Sequence, residues 1–241
     1  MSMKAVLLAA GRGERIRDVV DTVPKPMIRI NGKPILQQNV EWLVRFAVTD
    51  LYINLHHLPD VIKGHFGDGS EWDANIRYSY EEHLLGTAGA TRKIADDCWD
   101  AVDEPFLVVY GDNLLSEFDL TAILDFHQTN GGIGTICLYH RDDVSQSGIA
   151  VLDQSGRIVR FIEKPSPAEA ISHWVNAGIY VLEPEMLRYI PQGQPYDFGR
   201  DVFPNVLAAG ETLFGVVSGA ALVAVDTPEL LTNAMRRSEA T

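Results

Sequence analysis

The sequence predicts an α/β fold in which a mainly parallel sheet, with helices on both faces, is followed by a smaller antiparallel β-rich lobe. Two observations support this fold class. Through about residue 130 of the 241, strand-like apolar runs alternate with helical patterns in the order βαβαβαβα. From Ile133 onward, short strand-like runs separated by turn residues replace that alternation. Apolar residues make up 46% of the chain, which supports one large domain with a sizeable core.

The elements of the first half follow from apolar spacing and from the residues at their ends. Residues 35–46 (ILQQNVEWLVRF) place apolar side chains at helical spacing and follow Pro34, which suits a helix start. Residues 59–66 predict a short helix that Gly67 ends. The predicted strands are 6–9, 51–55, 76–80 and 106–110, and the predicted helices are 35–46, 59–66, 87–98 and 120–129.

The second half is predicted to be richer in strands. The runs GIAVLD (148–153) and RIVRFIE (157–163) flank a Gln-Ser-Gly turn and predict an antiparallel pair. The run IGTICLY (133–139) predicts another strand of this lobe, and VNAGIYVL (175–182) predicts a strand that returns to the main sheet. The spacing predicts helices over 202–209 and 229–236.

The charge and cysteine content exclude several classes of protein. The net charge is −13 without any basic run, which argues against a nucleic-acid partner because such surfaces need clustered Lys and Arg. The two cysteines, Cys98 and Cys137, have neither metal-ligand spacing nor a disulfide framework. No apolar run reaches about 18 residues, and no signal-peptide pattern opens the sequence. We therefore expect a cytoplasmic protein with no membrane partner.

Residues 6–27 contain the strongest functional signal. The apolar run Val6–Ala9 leads into a loop with two glycines, which allow backbone N–H groups to approach a phosphate closely. Arg15 and Lys25 add positive charge, and the prolines beside Lys25 stiffen its loop. The segment suits the triphosphate of a nucleotide, and the alternative is a plain turn with solvated cations. Ile16 stands where a dinucleotide-binding fingerprint needs its third glycine, which argues against a dinucleotide oxidoreductase.

These residues resemble the opening of the sugar-1-phosphate nucleotidyltransferases, also called nucleoside-diphosphate-sugar pyrophosphorylases. The resemblance runs in order over nearly the whole chain, through LAAGRGERIR (8–17), PKPM (24–27), LLGTAGA (84–90), VVYGDN (108–113), FIEKP (161–165) and DTPELL (226–231). It implies the Rossmann-like nucleotide-diphospho-sugar transferase fold, with the antiparallel lobe on the sugar side. It also implies one nucleotidyltransferase domain over 1–241, with a nucleotide half at about 1–130 and a sugar-side half at about 131–241. Asp18 departs from the proline that is usual there.

The resemblance implies a reaction in which a sugar-1-phosphate attacks the α-phosphorus of an NTP and pyrophosphate leaves, with Mg²⁺ as cofactor. The catalytic residues carried over are Arg15, Lys25, Asp112 and Lys164. The nucleotide-binding residues are Ala9, Ala10, Gly11, Arg12, Gly13, Glu82, Gly86, Thr87 and Ala88. The sugar-binding residues are Asn113, Gly148, Glu163, Asn176 and Gly178, and the metal ligands are Asp112 and Asp226.

The two aspartates differ in how well they match the family pattern. Asp112 lies in a Gly-Asp-Asn turn after an apolar strand, where it either holds Mg²⁺ against a phosphate or only makes an Asx-turn. The family's second aspartate belongs to a D-[IV]-G-T-P-E pattern, but this chain has AVDTPE. Ala224 therefore takes the aspartate position, and Asp226 stands two residues later. Asp226 is either a displaced metal ligand or a helix N-cap.

Structural alternatives stand beside the other assignments. The small residues Gly86–Ala88 either lie against a nucleotide or only allow close packing at a helix start. Either Glu81 or Glu82 contributes to base recognition. Lys164 is either a phosphate ligand, as a compact cation stiffened by Pro165, or a solvated strand-end lysine. Asn176 binds either a sugar hydroxyl or neighbouring backbone.

The substrate pair is predicted from local resemblances. LGTAGA (85–90) is similar to guanylyltransferases that act on mannose- or heptose-1-phosphate, which serve cell-envelope polysaccharide synthesis, and this favours GTP. INLHHLP (53–59) and GDGS (67–70) resemble the uridylyltransferase for N-acetylmuramic acid-1-phosphate, so uridylyl transfer to that or another hexose-1-phosphate is the alternative. A non-catalytic nucleotide-sugar sensor is a second alternative, supported by the altered register at Asp226. The resemblance is compatible with a homo-oligomer.

Overall fold

The computed structural model of the chain describes residues 3–11, 23–220, 222–225 and 229. The chain forms two compact units. The first contains Met1–Leu84, Val109–Glu117 and Leu222–Thr241, and the second contains Leu85–Val108 and Phe118–Ala221. The single-domain organisation with a nucleotide half and a sugar-side half stays a prediction.

The described residues form the strands and helices predicted for them in the predicted order, together with five strands that were not predicted, at 29–30, 33–34, 113–114, 213–217 and 223–224. The strands are β1 (Lys4–Leu8), β2 (Arg29–Ile30), β3 (Lys33–Pro34), β4 (Asp50–Leu55), β5 (Asn75–Tyr80), β6 (Phe106–Tyr110), β7 (Asn113–Leu114), β8 (Gly134–His140), β9 (Gly148–Leu152), β10 (Ile158–Glu163), β11 (Trp174–Leu182), β12 (Leu213–Val217) and β13 (Val223–Ala224). The α-helices are α1 (Ile35–Arg45), α2 (Pro59–Phe66), α3 (Gly86–Cys98), α4 (Leu120–Asn130) and α5 (Phe203–Ala208). Short 3₁₀ segments occur at Lys25–Met27, Ser70–Trp72 and Pro184–Tyr189.

The first unit is built on parallel strands. β1 pairs in parallel with β4, and β4 pairs in parallel with β5 along its full length. β4 is buried almost throughout, as expected of a strand in a parallel sheet that is covered on both faces. The end of β6, Val109–Tyr110, also belongs to this unit. Two short antiparallel pairs, β2–β3 and β7–β13, complete it.

The helices of the first unit follow from their apolar stripes and end residues. α1 begins directly after Pro34 and buries one face through Ile35, Leu36, Val40 and Leu43. α2 begins at Pro59, whose fixed φ suits the first turn of a helix, and Gly67 ends it with a positive φ of 57° that glycine adopts without strain. Both helices therefore lie where proline and apolar spacing predict them.

The second unit is dominated by antiparallel pairs. β9 pairs with β10, and β11 pairs with both β8 and β9, all in antiparallel orientation. β12 pairs in parallel with β8. Helices α3, α4 and α5 also belong to this unit.

The predicted fold class is confirmed: parallel strands alternate with helices, and an antiparallel β-rich part follows. Element ends shift by one or two residues, and one helix is preceded by a turn that was not predicted. The predicted helix over 202–209 is preceded by a π-helical turn, Phe198–Val202, and its α-helical part spans only Phe203–Ala208. Pro204 has no N–H group to donate, so the regular helix begins beside it. The helix predicted over 229–236 falls outside the described residues.

Among the described residues, none of the helices combines the length and the apolar character that a membrane span needs.

Candidate functional site

The parallel strands of the first unit end at one edge. β1 pairs with β4 as far as Leu8, and the residues that follow β1, β4 and β5 are Ala9, His56 and Glu81. Directly after β6, the N–H group of Gly111 donates to the carbonyl of Leu8 at 3.0 Å. Because ligands of such sheets bind at the carboxyl ends of the strands, this edge is the candidate site of the first unit.

A buried network centred on Asn54 holds this edge together. Asn54 is only 4% exposed, and its Oδ1 accepts a hydrogen bond from the N–H of Ala9 at 2.6 Å. Its Nδ2 donates to Oε1 of the buried Glu81 at 2.7 Å. Nδ1 of His56 lies 2.8 Å from the carbonyl of Glu81, and it is the donor because a carbonyl can only accept. The Asn54 amide and the His56 ring therefore tie together the residues that follow β1, β4 and β5.

The predicted phosphate loop begins on this frame. Ala9 and Ala10 are buried, and the N–H of Ala9 is already donated to Asn54. Gly11 is exposed, and a Cβ at that position would find no atom of the described residues within 4 Å, so this part of the chain leaves room for a ligand beside its backbone. The predicted residues Arg12, Gly13 and Arg15 lie outside the described residues.

Lys25 and Asp112 form an ion pair across the edge. Nζ of Lys25 lies 2.5 Å from Oδ2 of Asp112, although the residues are 87 positions apart in the chain. The Lys25 side chain is 7% exposed and that of Asp112 is 29% exposed. Lys25 lies between Pro24 and Pro26 and is the first residue of the 3₁₀ turn Lys25–Met27. The two prolines stiffen the segment that carries its side chain, as the sequence predicts. A buried ammonium needs such a partner because desolvation is costly.

Hydrogen bonds from the side chain of Asn39 hold the turn that carries Asp112. This side chain on α1 is fully buried, and its Nδ2 donates to the carbonyl of Asn113 at 2.8 Å and to that of Gly111 at 3.4 Å. A Cβ at Gly111 would lie 3.0 Å from both the Leu8 carbonyl oxygen and a Leu36 methyl group. Gly111 therefore lets the turn approach the end of β1, and Asn39 fixes its direction.

The short strand β13 leads to the same turn. Its residue Ala224 pairs with Asn113, which is buried and is followed by Leu114 in β7. Val225 packs in a core cluster with Ile28, Ile30 and Ile35. The backbone at the family's aspartate position is thus paired with Asn113, the residue after Asp112, although the residue there is alanine. Asp226 lies outside the described residues, and both of its assigned roles stay predictions.

Of the two glutamates weighed for base recognition, Glu82 is exposed and Glu81 is buried. Glu81 already accepts from Asn54 and its own N–H donates to the carbonyl of Leu55 at 2.8 Å. Glu81 therefore holds the ends of the strands together, and nucleotide contact by Glu82 stays a prediction.

In the second unit, the small residues at the start of α3 pack against the segment 194–197. The N–H groups of Ala88 and Gly89 donate to the carbonyl of Tyr196 at 2.9 and 3.0 Å. A Cβ at Gly86 would lie 2.7 Å from that same oxygen. This contact is the close packing at a helix start that the sequence analysis gave as the alternative to nucleotide contact for Gly86–Ala88.

Thr87 joins the same contact through its side chain. Its N–H donates to Oδ1 of Asp197 at 3.1 Å, and its Oγ1 accepts from the N–H of Phe198 at 3.0 Å. The backbone donors of Thr87 and Ala88 are therefore in use within the protein. Nucleotide contact by Gly86, Thr87 and Ala88 stays a prediction.

Glu163 lies over two glycines at the end of β10. A Cβ at Gly148 would lie 2.6 Å from Oε2 of Glu163, and one at Gly199 would lie 2.5 Å from it. The residue as a whole has exposed surface, but its carboxylate end is packed, and this desolvation raises the pKa of Glu163. The charge of Lys164 opposes the rise, and that of Asp197 adds to it. Gly148 is therefore required beside Glu163.

Lys164 has a backbone conformation that non-glycine residues rarely adopt. Its φ is 50°, in the left-handed region, and its N–H donates to the carbonyl of Ser147 at 3.1 Å. The following residue is Pro165, which also restricts the conformation of Lys164. Strained backbone of this kind is concentrated at functional sites, because the surrounding structure must hold it. The exposed ammonium is thus presented on a fixed segment.

Asn176 and Gly178 form a bulge in β11. The register between β11 and β8 shifts between Asn176 and Tyr180. Oδ1 of Asn176 accepts from the N–H of Gly178 at 2.9 Å, and its Nδ2 donates to the hydroxyl of Tyr180 at 2.6 Å. Gly178 has a φ of 75°, which the bulge requires. Asn176 thus makes the contact with neighbouring backbone that was the alternative to sugar binding, and sugar binding by Asn176 and Gly178 stays a prediction.

Two positioning residues, Asn39 and Asn54, were not predicted from the sequence. Each is an amide inside an otherwise apolar element, and that break in the pattern is the signal that could have identified them. In the first unit the arrangement brings together an open glycine, a buried cation and a carboxylate. Such a set can bind a phosphate chain and a divalent cation.

Comparison with known proteins agrees with this chemistry. A family model described as nucleotidyl transferase matches residues 4–221. A UTP–glucose-1-phosphate uridylyltransferase from Synechocystis is 38% identical over 225 residues, which is 89% of this chain and 58% of that protein. A probable mannose-1-phosphate guanylyltransferase from Oryza sativa subsp. japonica is 33% identical over 217 residues, covering 89% of this chain and 59% of that protein.

A solved structure described as a candidate glucose-1-phosphate thymidylyltransferase from Bacillus anthracis matches the fold. The TM-score is 0.86 at 22% identity, over 100% of this chain and 96% of that one. The chain spans about three fifths of the length of the curated relatives it matches. From the family model, its extent and these identities, the chain belongs to the nucleotidyl transferase family.

Proposed function

We propose that this protein transfers a nucleotidyl group from an NTP to a sugar-1-phosphate, giving a nucleoside-diphosphate sugar and pyrophosphate. The Lys25–Asp112 pair at the carboxyl edge of the first unit is the observation that carries the proposal. It joins the PKP motif to the Gly-Asp-Asn turn, beside a strand that leads into the glycine loop. The family and its relatives, whose names specify this class of reaction, support it.

The reaction needs no nucleophilic side chain. A phosphate oxygen of the sugar-1-phosphate forms a bond to the α-phosphorus while the bond from that phosphorus to the pyrophosphate oxygen breaks. Catalysis is then positioning together with stabilisation of charge. In this proposal the loop at Gly11–Gly13, with Arg15 and Lys25, takes up charge on the β- and γ-phosphates.

Asp112 is the proposed ligand of Mg²⁺. Lys25 engages Oδ2, and within the described residues it is the partner found for this carboxylate. A partly exposed carboxylate whose other oxygen has no partner among the described residues fits Mg²⁺, which usually keeps waters and takes phosphate oxygens beside one or two carboxylates. Asp226 is proposed as the second ligand. When bound, the ion would polarise the α-phosphate.

The second unit supplies the proposed acceptor side. Lys164 would bind the phosphate of the sugar, since its backbone is fixed by Ser147 and Pro165. Glu163, seated over Gly148 and Gly199, would accept hydrogen bonds from sugar hydroxyls. Asn176 and Gly178 of this unit are further proposed sugar contacts, and Gly86–Ala88 are proposed base contacts. Asn113 and Glu82, which belong to the first unit, are also proposed for the sugar and the base respectively.

GTP with mannose- or heptose-1-phosphate is the proposed substrate pair, supported by the LGTAGA segment and by guanylyltransferases among the relatives. UTP with a hexose-1-phosphate is the second candidate. It is favoured by the uridylyltransferase of Synechocystis, whose 38% identity exceeds the 33% of the rice guanylyltransferase. We propose further that the protein acts in the cytoplasm, supplies cell-envelope polysaccharide synthesis and binds neither nucleic acid nor membrane.

Pyrophosphate release tests the proposal. GTP, UTP, ATP and dTTP are each combined with mannose-, heptose-, glucose- and N-acetylmuramic acid-1-phosphate in the presence of Mg²⁺. We expect release that requires one NTP together with one sugar phosphate, and that combination names the product. Silence in every combination, with nucleotide still bound in a thermal-shift assay, would contradict catalysis and favour a nucleotide-sugar sensor.

A further inference from the structure

We propose that His140, Asp142 and His173 form a binding site for a late first-row divalent cation, with Zn²⁺ the best fit. The potential ligand atoms of these three side chains all lie within 4.8 Å of one another. All three residues are exposed, so an ion can reach them from solvent. They belong to the second unit and are distinct from the residues proposed for Mg²⁺.

The backbone brings the three residues together. β8 ends at His140, which is paired with Trp174 at the start of β11, and His173 directly precedes Trp174. The N–H of Arg141 donates to the carbonyl of His173 at 3.1 Å, which extends the ladder past the strand end. The two histidines are therefore held by paired backbone rather than by a loop alone.

The rings of the two histidines are also in contact. His140 and His173 stack with their centroids 5.5 Å apart and their planes at 24°. His140 meets Trp174 edge to face at 5.6 Å. These contacts limit the rotamers of His140, so less conformational entropy is lost when it binds an ion.

His173 has its tautomer fixed in the way that metal ligands require. Its Nδ1 lies 3.1 Å from the carbonyl oxygen of Arg141, and since a carbonyl only accepts, Nδ1 carries the proton. The lone pair of the neutral ring is then on Nε2, which is free to coordinate. Histidine ligands of metals commonly donate their other N–H to a carbonyl in this manner.

The geometry and chemistry favour Zn²⁺ over Mg²⁺. Tetrahedral Zn²⁺ with ligands at about 2.0–2.2 Å places its ligand atoms about 3.3 Å apart, so these side chains need to close by at most about 1.5 Å. Rotation of the exposed Asp142 side chain and small tilts of the two rings, within their present rotamers, can close that distance. Two imidazoles and one carboxylate suit Zn²⁺, Co²⁺, Ni²⁺ or Cu²⁺, whereas Mg²⁺ prefers oxygen ligands. Three protein ligands leave the remaining position to water.

A bound ion would join two parts of the second unit. Asp142 lies in the connection that follows β8, and His173 precedes β11. The same connection reaches Ser147, whose carbonyl accepts from the N–H of Lys164. The ion would therefore tie the start of this connection to β11 and restrain the segment on which Lys164 depends.

Direct binding tests the site independently of the proposed activity. Untagged protein is titrated with ZnCl₂ by calorimetry at pH 7.5, and with CoCl₂ by visible absorption, in the presence of excess Mg²⁺. The variants are His140→Ala, His173→Ala and Asp142→Asn, with the exposed His83→Ala as the matched control. Thermal unfolding without added metal confirms that each variant is folded.

We expect one Zn²⁺ per chain, with affinity at least about tenfold weaker in either histidine variant and unchanged in His83→Ala. Bound Co²⁺ should show the intense visible bands of a four-coordinate site, and the bands should be lost in His173→Ala. Equal affinity in all four variants, or no stoichiometric Zn²⁺, would overturn the proposal. Failure of the nucleotidyl-transfer assay would leave these binding results unaffected.

Discussion

Removal of the charge on Asp112 is the sharpest test of the candidate site. Asp112→Asn keeps the shape of the side chain but removes the carboxylate that lies 2.5 Å from the Lys25 ammonium. Breaking a buried ion pair from one side typically costs about 3–5 kcal/mol, because the remaining charge loses its partner. The Asp112 side chain is 29% exposed, so water screens part of the loss. We expect the free energy of unfolding to fall by about 2–3 kcal/mol.

The reverse change should cost less. Lys25→Met removes the buried ammonium and keeps a side chain of similar length. The carboxylate left behind at Asp112 has access to water, so we expect a loss of about 1 kcal/mol. The loss of stability in the double variant should be smaller than the sum of the two single losses. The resulting coupling energy should be at least about 1 kcal/mol, as expected for groups in contact.

Urea unfolding followed by tryptophan fluorescence measures these differences. The surface pair Lys33–Glu41 is the matched control, since its side chains are 53% and 38% exposed at a distance of 2.8 Å. Glu41→Gln should cost less than about 1 kcal/mol. An Asp112→Asn loss no larger than that of Glu41→Gln, with coupling within about 0.3 kcal/mol of zero, would refute the reasoning.

The same variants separate stability from catalysis. If Lys25 and Asp112 stabilise charge during transfer, each single variant should lower the rate of pyrophosphate release by about 10²–10³. The double variant should lose less stability than the two single losses add up to, but it should be as inactive as either single variant. An active double variant would contradict the assignment of these residues to the reaction.

Three further predictions concern residues that hold the site in place. Asn39→Ala should lower the free energy of unfolding by about 1–3 kcal/mol, since the carbonyl of Asn113 loses a buried donor. It should also lower kcat, because the turn that carries Asp112 would shift. Urea unfolding and the pyrophosphate assay, each compared with wild type, measure the two effects. Gly148→Ala should raise KM for the sugar phosphate more than it lowers kcat, because its Cβ would displace Glu163. Gly64→Ala is the control and should leave KM and kcat unchanged, because a Cβ there would meet no atom of the described residues within 4 Å. Burial raises the pKa of Glu163, so the folded state binds more protons than the unfolded state between about pH 4.5 and the raised pKa, and its contribution to stability falls as pH rises through that window. Glu163→Gln should remove this fall from urea midpoints measured between about pH 4 and 7.

The fold could be predicted because its signals are local. The helix at Ile35–Arg45 follows a proline and has one apolar face, and the strand at Phe106–Tyr110 is a continuous apolar run. One difference lies at Phe198–Val202, where a π-helical turn precedes the helix that begins beside Pro204. The alternation of strands and helices was enough to fix the fold class.

The candidate site could be predicted only in part. Lys25 and Asp112 were each identified from their own motifs, but their pairing spans 87 positions and no local pattern reports it. The network from Asn54 to Ala9 spans 45 positions. Contacts of this length depend on the register of the parallel strands, which apolar spacing does not encode to single residues.

A polar residue at a core position indicates a hydrogen-bonding role, and its place in the sheet decides what that role serves. Asn54 and Glu81 bond at the carboxyl edge of parallel strands, so they fix loops that can meet a ligand. His127 is similarly buried in the second unit, and its Nδ1 and Nε2 bond to Oγ1 of Thr135 at 2.9 Å and to Oε1 of Glu183 at 3.1 Å. Those bonds join α4 to β8 and to the residue that follows β11, and they link elements of the second unit rather than loops at the carboxyl ends of the parallel strands. Polarity within an apolar element therefore selects the candidates, and position at the carboxyl ends of the strands identifies those that act on the site.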